Sequence, residues 1–257
     1  MFEQVDKQAL AERFGKAASS YDQYALLQKE VGRNLLSLIP DEKYGNGLDL
    51  GCGSGFFLSN LQQLCNYLLA LDISTGMLKQ AGLRGDAQGY VCGDAEALPL
   101  RSESQDLVFS SLALQWCHEP VQAFREIKRV LTSQGYALFA TLNEGSLFEL
   151  RDAWTAVDDY EHINQFMGVS ELRSVLQEAG IRCKTWQVCR HVMHYADVNT
   201  ILQSLKRIGA SQVNGERHQG LLTRQKLLRL QQAYERYRLP TGLLPVTYNV
   251  CYGVLHR

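Results

Sequence analysis

The residues best suited to chemistry lie in the segment LDLGCGSGFF at positions 48–57. In this segment Asp49 is followed by glycines at alternate positions, Gly51, Gly53 and Gly55. Glycine permits a positive φ and places no side chain between the backbone and a ligand. The helix expected to follow would present unpaired N–H groups and the positive end of its dipole. A turn of this kind can bind several nucleotide ligands, NAD among them.

Two details of this segment separate the candidate ligands. A dinucleotide fingerprint needs a third glycine at position 56, where this chain has Phe56. The carboxylate of Asp49 would repel a pyrophosphate, but it would attract the amino group of a methionine carried by a sulfonium. The segment therefore favours S-adenosylmethionine over a dinucleotide.

Two further acids follow the next two apolar runs of the chain. Asp72 ends the second run and can accept hydrogen bonds from both ribose hydroxyls. Asp94 follows the third run and can accept from the adenine amine, while the Ala95 N–H donates to a ring nitrogen. The ends of parallel strands meet at one crevice, so the acids are expected to lie together, with Ile73 and Met77 covering the adenine. The predicted cofactor-binding residues are Asp49, Gly51, Gly53, Asp72, Ile73, Met77, Asp94 and Ala95.

The elements that position these residues alternate regularly over the first 142 residues. Five short apolar runs read as strands, and helical patterns separate them. This alternation predicts an α/β fold with a parallel sheet and helices on both of its faces. The predicted strands are 47–50, 66–72, 88–92, 106–110 and 135–142.

The regular alternation of predicted strands and helices ends after residue 142. The stretch 144–167 is expected to be mostly helical, and a helix over 170–180 has Gly180 as its C-cap. Strands are predicted at 183–195 and 246–255, with two helical patterns between them. The chain therefore divides into an N-terminal helical segment (1–40), a core (41–196 and 246–257) and a helical insertion (197–245).

Charge is distributed unevenly along the chain. Residues 201–257 contain nine Lys or Arg and two acids, a net charge of +7, whereas the remaining residues carry −8. A basic insertion on an acidic body suggests an anionic partner, although solvated helix faces would give the same pattern. Nucleic acid is not expected, because the overall pI is 6.6 and nucleic-acid-binding domains usually exceed 9.

Composition excludes several other classes of protein. The cysteines are seven in number and form no CxxC pair, so neither a disulfide framework nor a metal site is expected. No apolar stretch approaches the roughly eighteen residues needed to cross a bilayer. The first ten residues have no apolar signal core, so a cytoplasmic location is expected.

Residues 45–142 resemble the class I S-adenosylmethionine-dependent methyltransferases. The resemblance rests on DLGCGSG, LALDIS, GDAEALPL, DLVFSSLALQW, an REIKRVL helix and a GYALFATL strand. It implies a Rossmann-like sheet of seven mostly parallel strands in the order 3-2-1-4-5-7-6, with strand 7 antiparallel. The predicted strands 183–195 and 246–255 would then be strands six and seven.

A closer resemblance, to the malonyl-acyl-carrier protein O-methyltransferases of the early biotin pathway, covers almost the whole chain. It rests on RFGKAASSYD at 13–22, SLKRIGA at 204–210 and LPVTYNVCYGVL at 244–255. The resemblance implies methyl transfer to the free carboxylate of malonyl-acyl carrier protein, giving a methyl ester that primes pimeloyl synthesis. It also implies that the N-terminal segment folds over the cofactor and that the insertion forms a lid.

That reaction needs no general base, because a carboxylate is already ionised near neutral pH. Catalysis would come from alignment and exclusion of water, with a cation or hydroxyl group holding the carboxylate. Tyr21 and Arg151 are the predicted catalytic residues. The predicted substrate or carrier contacts are Lys206, Arg207 and Gln115, with Trp116 and His118 as further pocket residues, and the basic residues expected to dock an acidic carrier include Arg217, Arg224, Lys226 and Arg229.

Two alternatives stay open at this point. The chain could methylate another small carboxylic acid or a quinone precursor. It could also be a non-catalytic module that binds S-adenosylmethionine or nucleic acid.

Overall fold

A computed structural model of the chain describes residues 6–40, 42–210 and 223–257. Seven strands form a single sheet. They are β1 (Tyr44–Leu50), β2 (Cys65–Asp72), β3 (Gly89–Cys92), β4 (Gln105–Ser111), β5 (Leu131–Leu142), β6 (Arg182–Tyr195) and β7 (Leu244–His256).

The order of the strands in the sheet is β3-β2-β1-β4-β5-β7-β6. The four pairs from β3 to β5 are parallel, and β7 is antiparallel to both β5 and β6. The predicted order and the antiparallel seventh strand are therefore confirmed. Because β1 to β4 are parallel, their carboxyl ends meet at one edge of the sheet.

Three helices precede the sheet: α1 (Lys7–Ala17), α2 (Tyr21–Tyr24) and α3 (Leu26–Leu36). Asp6 caps α1, because its side chain accepts a hydrogen bond from the Ala9 N–H at 2.9 Å. Leu27, Val31 and Leu35 recur at helical spacing and are buried, so one face of α3 packs into the core.

The remaining helices lie between and after the strands. Ser74 caps α5 by accepting from the Met77 N–H, and Gly180 ends α8 with a positive φ, as expected for that glycine. The helices are α4 (Leu58–Gln62), α5 (Thr75–Gly82), α6 (Pro120–Val130), α7 (Phe148–Trp154), α8 (Val169–Ala179), α9 (Val198–Arg207) and α10 (Arg224–Tyr234), with short 3-10 helices at Leu114–Trp116 and Glu235–Tyr237.

The core occupies both faces of the sheet. Successive residues of β5 alternate between two apolar clusters, with Leu138 on one face and Phe139 on the other. Phe109 and α3 belong to the first cluster, and Phe124 of α6 belongs to the second. The sheet is therefore covered by helices on both sides, as the alternating pattern predicted.

One stretch differs from its prediction. Residues 144–167 were expected to be mostly helical, but they contain only α7. The segment after α7 is held instead by side chains: the Asp158 carboxylate binds His162 and Lys226, and the Arg151 guanidinium donates to the Asn164 carbonyl. These tertiary contacts replace helical hydrogen bonds, which local propensity could not reveal.

Two expectations from composition can be compared with the structure. All seven cysteines are free thiols. Among the described residues, no helix has both the length and the apolar character needed to span a membrane.

Candidate functional site

A cleft of about 110 Å³, called here the first cleft, opens where the carboxyl ends of the parallel strands meet. Seven of the eight predicted cofactor residues line it: Gly51, Gly53, Asp72, Ile73, Met77, Asp94 and Ala95. Asp49 lines a smaller cavity beside it, together with Gly51 and Gly53. The structure therefore brings all eight residues to one place.

The glycine turn leaves room for a ligand. Gly51 has φ 76°, and a side chain there would collide with Ala113. Gly53 has φ 54°, and a Cβ built on it would meet no atom within 4 Å. Only glycine adopts this turn at little cost, and Gly53 exposes its backbone to open space in the cleft.

Asp72 is buried at the end of β2 and is fixed by two backbone donors. Its Oδ2 accepts from the Gly53 N–H at 2.9 Å, and its Oδ1 accepts from the Ser74 N–H at 2.8 Å. Burial raises the pKa of Asp72, while these two N–H groups lower it. Each oxygen keeps a lone pair, so the carboxylate can still accept hydrogen bonds from a diol in the cleft.

Asp49 is 3% exposed and lies beside the same turn. Burial, followed by the charge of Asp72, raises the pKa of Asp49 to about 8. A buried carboxylate of this kind would gain most from a positively charged ligand, because such a ligand would replace the lost solvation.

Asp94 is shared with a residue that the sequence reasoning missed. The Lys7 Nζ lies 2.6 Å from Asp94 Oδ2 and 2.7 Å from Glu96 Oε2. Burial lowers the pKa of Lys7, but its hydrogen bonds to the two acids outweigh this and raise the pKa. Lys7, Leu10 and Phe14 line the first cleft at helical spacing on α1, and that periodicity could have revealed them.

The N-terminal helices are fastened over the cleft. The Ser74 Oγ donates to the Ala11 carbonyl at 2.8 Å, which ties α1 to the start of α5. The Asp22 carboxylate accepts from the Ser54 Oγ at 2.5 Å and pairs with Arg84. These contacts hold Tyr21 above the glycine turn.

A second cavity of about 270 Å³ adjoins the first cleft. Phe14, Tyr21, Leu112 and Trp116 line both. Tyr21 also lines the small cavity beside Asp49, so it stands where all three spaces meet. Burial, followed by the charges of Asp72 and Asp22, raises the pKa of Tyr21, so its phenol keeps its proton and can donate a hydrogen bond.

The second cavity differs from the first cleft in the kinds of side chain that line it, over the residues that the structure describes. None of those lining it is Lys, Arg, Asp or Glu. The His162 ring stacks on Trp154 with centroids 3.6 Å apart, and its Nε2 lies 2.7 Å from Asp158 Oδ1. The polar side chains are spread among apolar walls: Tyr21, Gln28, Gln115, Trp116, Trp154, His162, Asn164 and Tyr248.

Gln115, which the sequence analysis predicted as a substrate contact, lines the second cavity. Its Nε2 donates to the Leu112 carbonyl at 2.7 Å, and its Oε1 accepts from the Thr141 hydroxyl at 3.4 Å. His118 lines neither space, and its backbone N–H donates to Glu96 at 2.6 Å.

The predicted cations are placed outside the second cavity. Arg151 lines a neighbouring cavity, and its Nη2 donates to the Asn164 carbonyl at 2.9 Å. Lys206 and Arg207 are exposed on α9, with the Arg207 guanidinium 5.5 Å from the Tyr24 ring centre. It is the apolar face of α9 that reaches the cavity, through Leu202 and Leu205.

The basic residues of the insertion fall into two groups. Three are paired with acids: Lys226 with Asp158, Arg236 with Asp152 and Arg238 with Glu235. Four make no ion pair with another described residue and are exposed: Lys206, Arg207, Arg224 and Arg229. Arg217 lies outside the described residues.

Residues that the sequence reasoning missed supply much of the second cavity. Tyr248 lies on β7, in the segment predicted as the last strand, and alternation along that strand could have placed it on the inner face. No sequence pattern marks Gln28 as a cavity residue, because it is a single glutamine in an amphipathic helix.

The chain is similar to known proteins both in sequence and in fold. Residues 48–139 match the family model described as a methyltransferase domain. The fold is similar to the crystal structure of BH2331 from Bacillus halodurans, with a TM-score of 0.63 and 18% identity, covering 87% of this chain and 97% of that one. At this identity the likeness concerns the fold alone.

Two curated relatives match nearly the whole chain. The malonyl-acyl-carrier protein O-methyltransferase of Serratia marcescens is 40% identical, covering 98% of this chain and 97% of that protein. The biotin biosynthesis bifunctional protein BioHC of Cellvibrio japonicus is 42% identical over 98% of this chain, which spans 50% of that longer protein.

Proposed function

Because the chain belongs to the malonyl-acyl-carrier protein O-methyltransferase family, we propose that it methylates the free carboxylate of malonyl-acyl carrier protein. S-adenosylmethionine is the methyl donor, and the product is the methyl ester of the malonyl thioester, which would serve biotin synthesis. Methylation removes a terminal charge that would be costly to bury in the apolar pockets of chain-elongating enzymes.

One observation carries the proposal. A cleft lined by strand-end carboxylates opens, at Tyr21, into a second cavity whose described lining contains no Lys, Arg, Asp or Glu. The first space suits a cofactor with a ribose and a cationic amino group, and the second has room for a small acyl group. Transfer between two bound molecules requires such a junction, because the reacting atoms must approach to about 3–3.5 Å in line.

The residues of the first cleft fit the proposed cofactor. We assign the ribose hydroxyls to Asp72, which its two backbone donors hold in place, and the methionine amino group to Asp49. Ile73, Met77 and Ala95 would enclose the adenine, with Asp94 accepting from its amine while Lys7 shares that carboxylate. When bound, the cofactor supplies a methyl group made electrophilic by its sulfonium.

The chain's own residues then have to orient and desolvate the acceptor. No residue would need to move a proton, because the ionised carboxylate oxygen would bond to the methyl carbon while sulfur would keep the electron pair of the broken carbon–sulfur bond. Apolar walls such as Leu142, Leu147 and Leu205 exclude water from the anion. The Tyr21 phenol, which keeps its proton, would donate to the carboxylate at the junction.

Arg151 lines a neighbouring cavity, whereas Tyr21 lines the second cavity itself. Its hydrogen bond to the Asn164 carbonyl holds the segment that forms one wall of the second cavity. A direct grip on the malonyl carboxylate stays a prediction for this residue.

The carrier protein would dock on the insertion, residues 197–245, acting as a lid. Acyl carrier proteins are acidic, and four exposed cations of the insertion lack an ion-pair partner among the described residues, which leaves them available. These are Lys206, Arg207, Arg224 and Arg229.

The test is transfer from labelled S-adenosylmethionine to purified malonyl-acyl carrier protein, followed by label and by carrier mass. We expect a gain of one methyl group that mild ester hydrolysis removes, and no gain on acetyl-acyl carrier protein. Free malonate and malonyl-coenzyme A are the comparison substrates. Cofactor binding without transfer to the carrier would overturn the proposal and direct the search to other carboxylic acids and quinone precursors.

A further inference from the structure

Gln28 lies at the candidate site but has no role in the proposed function. It lies on α3, and its side chain lines both the second cavity and the small cavity beside Asp49. Only Tyr21 and Gln28, among the described residues, line both of these spaces. The Gln28 amide also makes no hydrogen bond to another described residue. A partly buried amide at this junction therefore has donors to offer a ligand.

The backbone that carries Gln28 is held firmly on both sides. The Lys29 Nζ donates to the Asp22 carbonyl at 2.7 Å, and the Glu30 carboxylate lies 2.7 Å from His191 Nδ1 on β6. Leu27 and Val31 are buried in the core. An amide on such a rigid support can fix the orientation of a bound group.

The charge balance of the reaction favours a neutral donor here. A carboxylate anion and a sulfonium cation react to give an ester and a thioether, both neutral. A protein cation beside the carboxylate would stabilise the bound substrate more than the transition state, and so would raise the barrier. The described lining of the second cavity contains no Lys or Arg, which agrees with this requirement.

We propose that Gln28 is a substrate-binding residue, whose amide N–H holds the malonyl carboxylate together with the Tyr21 phenol. The proposal rests on the proposed function, since it takes the malonyl carboxylate as the acceptor. It assigns the carboxylate to neutral donors at the junction, in place of the exposed cations Lys206 and Arg207. The Gln28 amide also selects for an anionic acceptor, because its free N–H groups would be left unpaired by an acetyl group.

The experiment compares Gln28→Ala and Gln28→Glu with the matched variants Gln177→Ala and Gln177→Glu, since Gln177 is exposed on α8, outside the insertion. Binding of malonyl-acyl carrier protein is measured by calorimetry on the protein loaded with S-adenosylhomocysteine, alongside KM and kcat. We expect Gln28→Ala to weaken carrier binding about tenfold, as for a lost hydrogen bond to a charged group, and Gln28→Glu to weaken it further by repulsion. The Gln177 variants should match the wild type.

Two further measurements sharpen the result. S-adenosylmethionine affinity should change less than threefold in both Gln28 variants, which also shows that they fold. Gln28→Lys should lower KM and lower kcat together, because a cation stabilises the bound anion more than the transition state.

The outcomes separate this inference from the proposed function. Wild-type protein that does not methylate malonyl-acyl carrier protein would overturn both. Active wild type, with Gln28 variants that behave like the Gln177 variants, would overturn the inference alone. A loss of cofactor affinity as large as the loss of carrier affinity would also overturn it, because Gln28 would then contact the cofactor.

Discussion

The first cleft and the second cavity differ in how they are built and in what they present. The first cleft takes its acids Asp72 and Asp94 from the ends of β2 and β3, and Lys7 of α1 joins them. The second cavity collects neutral side chains from α3, α7, α9 and β7, which are far apart in sequence. Under the proposed function, charge and hydrogen bonds at strand ends would select the cofactor, whereas shape and uncharged donors would select the acceptor.

Removing the Asp72 carboxylate should weaken cofactor binding in the first cleft and leave the second cavity unchanged. Asp72→Ala deletes the carboxylate proposed to bind the ribose and frees the Gly53 and Ser74 N–H groups. We expect about a hundredfold or greater loss of S-adenosylmethionine affinity, because hydrogen bonds to a charged group contribute roughly 1.5–3 kcal/mol each. Calorimetry measures this, with Asp159→Ala as the exposed-acid control. Unchanged affinity would remove Asp72 from the cofactor site.

Changing Tyr21 tests the junction between the two spaces. Tyr21→Phe keeps the ring and removes the donor, so kcat/KM for malonyl-acyl carrier protein should fall about thirtyfold, within the range for a hydrogen bond to an anion. Cofactor affinity should stay within threefold of the wild type. Tyr24→Phe is the matched control, because Tyr24 is exposed on the same short helix. An equal effect in both variants would contradict a contact between Tyr21 and the carboxylate.

The buried acid beside the glycine turn predicts a pH dependence of cofactor binding. With its pKa raised to about 8, Asp49 is largely protonated in the free protein below that pH. A cationic amino group favours the ionised form, so binding releases a proton and affinity rises with pH. Between pH 6 and 7.5, where that amino group is still protonated, we expect a rise of about tenfold.

Isothermal calorimetry in buffers of different ionisation enthalpy measures both the affinity and the proton release. Asp49→Asn should flatten the pH profile and lower the affinity at pH 7.5. A wild-type profile as flat as that of Asp49→Asn would show that Asp49 does not receive the amino group.

The smallest effect concerns the surface of the insertion. The pair Arg224→Glu and Arg229→Glu should raise KM for the carrier about fivefold at low ionic strength, and salt should reduce the difference because it screens exposed charges. The matched pair Arg101→Glu and Arg182→Glu reverses two exposed arginines outside the insertion. Equal KM values for the two pairs would place the docking surface elsewhere.

Much of the fold was predictable because its signals are local. Each of the seven strands lies where an apolar run predicted it, and the observed order matches the one that the family resemblance implied. The stretch 144–167 was predicted less well, because Asp158 and Arg151 fix its path through contacts with distant or non-helical partners. Patterns of propensity contain no information about such pairs.

The same contrast holds for the candidate site. The sequence placed Asp49, Asp72 and Asp94 together because the topology of a parallel sheet brings strand ends to one edge. It could not show that Lys7 shares the Asp94 carboxylate, because the two residues meet only when α1 folds over the cleft.

The amino-acid sequence by itself determined the class of fold, the cofactor turn and the uneven distribution of charge, since each depends on residue type and local spacing. Only the tertiary structure decided which side chains line the second cavity. It placed Lys206 and Arg207 on the exposed face of α9, and it brought Gln28 and Tyr248 into one cavity from opposite ends of the chain. The reason is physical, because each helix is oriented by the burial of its apolar face. The polar groups that this burial brings together can be far apart in sequence, and their separation along the chain does not determine their distance in space.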